Sequence, residues 1–353
     1  MMRHTYYRTL LAFMVGLALV FAACQGRRES TMESGPLGKT AGEVVIYVSE
    51  DRVFAEPVLG AFERRTGITT KAVYDTEETK STGLANRLLA EKNRPQADVF
   101  WSNEPVRTLV LKRNDVLAPY HSPSAATLPE KFKDPEGYWT GFAARSRVIV
   151  YNTKLVKPGE APQSMFDLTD PKWKGQLAMA DPRFGSTSFH TATLFVVLGD
   201  ARAEQYFRDL KTNAVKIVDG NSAVLKLVAR GEVKVGWTDN DDVQVAKKAG
   251  EPVEMAYPDQ QGLGAPVMPN MVSLIKGGPH PENGQRLIDY LLSPDVERML
   301  AHSDAAQMPL HPGIPVPQGV RSVESLKPMT FDYGSAAARV EEVVRRLQTI
   351  LGL

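Results

Sequence analysis

Residues 235–246 read VGWTDNDDVQVA and place three aspartates, Asp239, Asp241 and Asp242, within four positions. Carboxylates this close repel one another, and a cation or protonation relieves the repulsion. Hard cations prefer oxygen ligands, so one reading is a metal ion or a cationic solute. Two others stand beside it. The apolar run VKVGW ends before the aspartates and VQVAKKAG reads as a helix after them, so an aspartate is placed to cap that helix. The remaining reading is a solvated surface, or a group that hydrogen-bonds a neutral polar solute. The spacing is not that of an EF-hand, whose glycine and terminal glutamate are missing.

Other polar groups sit where strands give way to helices. SED (49–51) follows an apolar run; Ser49, Glu50 and Asp51 either begin an ordinary helix cap or face a cleft. In WSNEP, Trp101 fills the core or walls a ligand, while Asn103 and Glu104 are polar at the end of a buried strand. In FGSTS, Gly185, Ser186 and Thr187 open a helix, whose free N–H groups and dipole favour an anion; the simpler use is a Ser/Thr cap. Tyr257 lies in the glycine-rich YPDQQGLG, either a turn or a source of a phenolate. Arg145 and Arg147 lie on the long extended run WTGFAARSRVIVYNT (139–153). The histidines show no metal-binding spacing. G-x-S-x-G elbow, phosphate loop and cysteine nucleophile are all missing. A carboxylate pair from Asp51 and Glu104, as in a secreted hydrolase, has only the presence of acids in its favour, so no enzyme is expected.

The elements that must position these groups alternate. EVVIYVSE, ITTKAVYDT and ADVFWSNEP read as strands, with helices predicted over 54–67, 81–95 and 106–120, which predicts a parallel sheet covered on both faces. The run at 139–153 is long enough to cross from one lobe to another. A second α/β region follows, with strands at 175–182, 214–218 and 233–238 and helices at 186–199, 203–212, 221–231 and 241–249. VMPNMVSLIKGG is a return strand, and Val340, Val343, Val344, Leu347 and Leu351 line one face of a last helix. Two α/β lobes joined by several crossings enclose a cleft lined by strand ends.

The chain has 353 residues, enough for two ordinary domains, and its formal charge of +1 lacks the basic excess of a nucleic-acid binder. Arg3 and Arg8 precede a 14-residue apolar run, Leu10–Ala23, which is the pattern of a signal peptide and too short to span a bilayer comfortably. The single cysteine, Cys24, follows Ala22-Ala23 as in a lipobox, with Phe21 where leucine is usual; a lone cysteine offers neither an intrachain disulfide nor a cysteine metal cluster. The expectation is an exported protein, lipidated at Cys24, on a tether of residues 25–41.

VVIYVSEDR, AFERRTGI, ADVFWSNE, RSRVIVYNT, DPKWKG, GNSAVLKLVARGE, LIDYLLSPDVERMLA and MPLHPG, in this order, give residues 43–350 a close resemblance to the extracellular solute-binding proteins of ABC importers, nearest the ferric-ion-binding branch. The resemblance implies an α/β, two-lobed type II periplasmic binding protein fold that closes on its ligand by a hinge, and partnership with a permease and its ATPase, as a monomer. It also implies a bound metal ion, iron first, with a synergistic anion. By position, Asp51, Glu104, Asp239 and Asp241 are the implied metal ligands, although the tyrosine pair of that branch is replaced near Asn240 and Asp241. Gly185, Ser186, Thr187, Asn221, Ser222 and Arg145 fit the anion; Ser49, Trp101, Asn103, Thr238, Asn240 and Tyr257 complete the expected ligand-binding set. The alternative cargo is a phosphorylated, phosphonate or other polar organic solute. The expected division is 1–23 signal peptide, 24–41 tether, 42–145 plus 268–312 one lobe, and 146–267 plus 313–353 the other.

Overall fold

A computed structural model describes residues 42–75 and 82–353; Cys24 and the expected signal peptide lie outside them. The first part of the chain runs β1 (Glu43–Val48), α1 (Arg52–Thr66), β2 (Thr69–Tyr74), α2 (Thr82–Ala90), β3 (Val99–Ser102), α3 (Pro105–Arg113) and β4 (Leu117–Ala118). Gly67 ends α1 at φ 73°, a left-handed position that glycine adopts without a Cβ clash. The helix expected over 106–120 stops at Arg113: the chain turns through Asp115 at φ 56° into β4. Then come the long β5 (Thr140–Asn152), β6 (Leu177–Ala180), α4 (Gly185–Leu198), α5 (Asp200–Thr212), β7 (Lys216–Val218), α6 (Asn221–Ala229), β8 (Val235–Asp239) and α7 (Asn240–Lys248). β9 (Val253–Ala256), β10 (Val267–Ile275), α8 (Pro281–Leu291), α9 (Pro294–His302) and α10 (Tyr333–Leu351) complete the fold.

The described strands form one sheet in the order β2-β1-β3-β10-β5-β8-β6-β7, with β4 beside β10 and β9 beside β5. The pairs β1–β2, β1–β3, β6–β7 and β6–β8 are parallel, as alternation predicts. β5 and β10 depart from that expectation and pair antiparallel with their neighbours. Neither arrives through the crossover helix that a parallel pairing requires. β5 serves both halves of the sheet: Thr140–Ser146 lie in register with β10, and Arg147–Tyr151 with β8.

One irregularity sets the facing of this strand. Pro269 is opposite Ala144 and Asn270 opposite Phe142, so Ala143 is an extra residue, at φ 41°. Such a bulge re-aims the side chains beyond it. Glu297 of α9 accepts from the Ala143 N–H at 2.7 Å, and the Asn270 side chain donates to the Ala143 carbonyl. Beyond the bulge, Arg145 and Arg147 share one face, because side chains alternate along a strand.

Helices cover both faces. Val44, Ile46 and Val48 of β1 bury against Val58, Leu59 and Phe62 of α1. α10 packs by Val340, Val343 and Leu347, with Val344 and Leu351 at the margin. α6 lies so close to β8 that a Cβ on Gly236 would stand 2.5 Å from Val224 Cγ1 and 3.3 Å from the Ala178 carbonyl. Gly236→Ala is therefore expected to destabilise by about 1–3 kcal/mol through overpacking, read as a lowered urea midpoint with an unchanged slope.

Candidate functional site

The end of β8 meets the middle of β5 at a fully buried ion pair. Arg147 and Asp239 are opposite one another in the β5–β8 ladder, and both are shielded from water. Arg147 Nη1 donates to Asp239 Oδ1 at 2.9 Å and to Asn221 Oδ1 at 3.0 Å. Asp239 Oδ2 accepts from Ser186 Oγ and from Asn221 Nδ2, each at 2.8 Å. Ser186 and Thr187 belong to the first turn of α4, which starts at Gly185 with φ 55°, and Asn221 opens α6. Thus two helix N-termini, each a place for negative charge, converge on one guanidinium. Arg147 Nε has no hydrogen-bond partner among the described residues.

Beside it lies a second, looser group. Arg145 Nη2 donates to the Asn103 carbonyl beyond β3, and Nη1 is 3.6 Å from Asp241 Oδ2. Arg145 Nε and Asp241 Oδ1 are buried and unpartnered among the described residues. Burial opposes the Arg145 charge, but Asp241, Asp239, Glu50 and Asp242 outweigh it and raise its pKa above the ordinary arginine value. Burial pushes the Asp241 carboxyl up; Arg145 pulls it back and Asp239 adds to the rise. Asp242, which accepts from Thr238 Oγ1 at 2.9 Å, is pushed up to about 7 by burial, then by Asp241 and Asp239. Asp239, Asp241 and Asp242 each offer an oxygen within 4.8 Å of the others. The Tyr257 hydroxyl is also buried and unpartnered; burial raises its pKa, and Asp241 adds to the rise.

Several expected residues have other uses. Asp239 stands at the N-cap position of α7 but makes no side-chain cap; its carboxylate accepts from Arg147, Ser186 and Asn221, so a cation there would share oxygens already hydrogen-bonded. Glu104, also expected to ligate, caps α3 through the Val106 and Arg107 N–H groups. Trp101 is core: it packs 5.3 Å from Phe142 and donates to Asn270. Asn240 turns inward, its Oδ1 accepting from the Ser146 N–H at 2.6 Å. Ser222 is exposed and does not join the group, and Ser49 Oγ donates to Asp75 at 3.3 Å. Asp51 is half-exposed at the start of α1, whereas Glu50 is buried and acts on Arg145. Glu50 lies two residues beyond β1. The ligand set expected from sequence omits both Glu50 and Asp242. His190 packs edge-on against Trp237 at 4.1 Å, and burial and Arg147 keep it neutral, a structural role that its helical position predicts.

The family model described as bacterial extracellular solute-binding protein matches residues 95–333. The chain belongs to that family. Its members bind solutes outside the cytoplasm, and the fold is the two-lobed type II periplasmic binding protein fold. The iron uptake protein A1 of Synechocystis is 27% identical over 305 residues, covering 83% of each chain. A putative 2-aminoethylphosphonate-binding periplasmic protein of Salmonella typhi is 29% identical over 80% of this chain and 78% of its own. The solved structure of a Trichodesmium protein in complex with iron and citrate ligands superposes with a TM-score of 0.78 at 22% identity, over 88% of this chain and 99% of that one.

Two predictions follow from the charges. Arg147→Ala leaves Asp239 buried and unpaired and is expected to destabilise by about 3–5 kcal/mol, measured by urea unfolding. The Asp242 carboxyl titrates near 7 in the fold against about 3.9 in an unfolded chain. From about pH 4 to 7 the folded state therefore holds a proton that the unfolded state has lost, and stability of the cargo-free protein falls as pH rises through that window. Asp242→Asn should flatten this slope and raise the melting temperature above pH 7.

Proposed function

We propose that this solute-binding protein serves an ABC importer and that its cargo is ferric iron carried with an organic oxyanion such as citrate. The observation behind this reading is a set of buried atoms of mixed polarity that lack partners among the described residues. Asp241 Oδ1 and the Tyr257 hydroxyl offer oxygen to a hard cation, and Arg145 Nε and Arg147 Nε offer N–H groups to an anion. Charge points the same way: Glu50, Asp239, Asp241 and Asp242 bear on Arg145, with Arg147 as the second cation. The surplus is negative, which favours a cation, while the α4 and α6 N-termini favour the accompanying anion. Asp241 and Asp242 are the protein's carboxylate ligands in this reading, with Tyr257 as a phenolate formed on binding. The iron-named and iron-bound relatives support it.

The proposed route to the site is export by residues 1–23, lipidation at Cys24, and display on a tether to residue 41. The lobes are 42–145 plus 268–312 and 146–267 plus 313–353; the change of partner along β5 supports this division. The cargo passes to a permease and its ATPase.

The test is thermal unfolding of the chelator-stripped protein with ferric citrate, citrate alone and no addition. Ferric citrate at 100 times its Kd should add about 2.7 kcal/mol of stability, and a visible phenolate-to-iron absorption band should appear. Asp241→Asn/Asp242→Asn should abolish the shift, and Tyr257→Phe should remove the band. No shift with ferric citrate would overturn the iron reading.

A second reading rests on Arg147, Ser186, Thr187 and Asn221, which are grouped as a receptor for a phosphonate, with the aspartates receiving an ammonium group. The phosphonate-named relative supports it. Stabilisation by 2-aminoethylphosphonate in the presence of chelator, without metal, would establish this reading in place of the first.

A further inference from the structure

Three successive residues at the start of α7 reach three successive residues of β5 in reverse order. Asp239 pairs with Arg147 at 2.9 Å, Asn240 Oδ1 accepts from the Ser146 N–H at 2.6 Å, and Asp241 faces Arg145 at 3.6 Å. The middle contact is the one that involves the β5 backbone, and it falls where β5 passes from the register of β10 to that of β8. Ser146 is fully buried, its Oγ donates to the Pro266 carbonyl at 3.0 Å, and the Arg147 N–H donates to the same carbonyl at 3.0 Å. Asn240 itself is 1% exposed, so solvent does not reach it.

We propose that Asn240 is a positioning residue: it fastens the α7 N-terminus to the β5 crossing and so couples occupancy of Asp241 and Asp242 to the angle between the two halves of the sheet. The outer contact at Asp241 is long and leaves polar atoms unmatched, so a cargo that takes Asp241 competes with Arg145. The Asn240 bond is short, neutral and directed at the main chain, and no cargo charge competes with it. It keeps α7 and β5 moving as one body while the Arg145–Asp241 contact exchanges. This inference rests on the hinge-closing, solute-binding reading above, but its first readout needs no cargo.

The experiment compares wild type, Asn240→Ala and Asn240→Asp by small-angle X-ray scattering, without ligand and with ferric citrate, alongside ferric citrate titration. Asp keeps the acceptor oxygen; Ala removes it and strands a buried N–H group. The expected result is an altered radius of gyration for cargo-free Asn240→Ala, ferric citrate affinity lower by about tenfold or more, and restoration of the cargo-free radius by Asn240→Asp at acidic pH, where the added carboxyl is protonated and does not repel its acidic neighbours. An unchanged cargo-free radius in Asn240→Ala with weakened affinity would make Asn240 a direct cargo contact and overturn the proposal. A lowered melting temperature with unchanged radius and affinity would make it a purely structural residue and overturn it equally. Should Asn240→Ala fail to fold, Asn240→Ser, whose hydroxyl is one atom closer to its own backbone, takes its place with the same outcomes. If wild type binds no ferric citrate, the cargo reading fails, while the cargo-free comparison still decides the role of Asn240.

Discussion

Arg147 and Asp239 face each other across two antiparallel strands with no access to water, and the geometry of the whole site depends on their ion pair. Removing two charges from water costs several kcal/mol each unless every remaining lone pair and proton is satisfied. Here Ser186, Thr187 and Asn221 supply much of that satisfaction, and each comes from the first turn of a helix. The pair therefore fixes where α4 and α6 begin relative to the end of β8. Gly236 permits the close approach of α6 that brings Asn221 within reach.

The next residues along the same two segments are held less completely. Arg145 touches Asp241 only at 3.6 Å, and both retain buried atoms unmatched among the described residues. A pair unmatched only at Arg147 Nε, beside one held no closer than 3.6 Å, divides the work. The first provides rigidity, and the second provides the interaction that a ligand improves on. A ligand of one sign would satisfy either the arginine or the aspartate and strand the other. A ligand of mixed polarity, whether metal with oxyanion or ammonium with phosphonate, would satisfy both.

The α/β alternation, the crossing strand and the acidic run were legible in the sequence, because periodicity and turn residues encode them directly. The antiparallel placement of β5 and β10 was not, since strand order depends on contacts between residues distant in the chain, from Tyr151 with Val235 to Thr140 with Val272. Side-chain direction was the other gap. Residue type puts Glu104 and Asp239 among plausible metal ligands, yet the α3 N–H groups claim the first and Arg147 the second. Asn240 looks equally available until the fold brings Ser146 beneath it. Glu50 was closer to readable, as a polar residue directly after a buried strand, where a cap or a cleft-facing group is expected. The Ala143 bulge left no local sign: its cause lies in Glu297 and Asn270, far along the chain.

In the proposed function a cation sits against Asp241 and Asp242 with its anion toward Arg145 and Arg147. Anomalous diffraction at the iron edge, from crystals grown with ferric citrate, tests it most directly. A single strong iron peak is expected within coordination distance of Asp241 and Asp242, with citrate density extending to the two guanidiniums. An iron peak elsewhere, or iron-free density lying on Arg147 with the aspartates untouched, would contradict it.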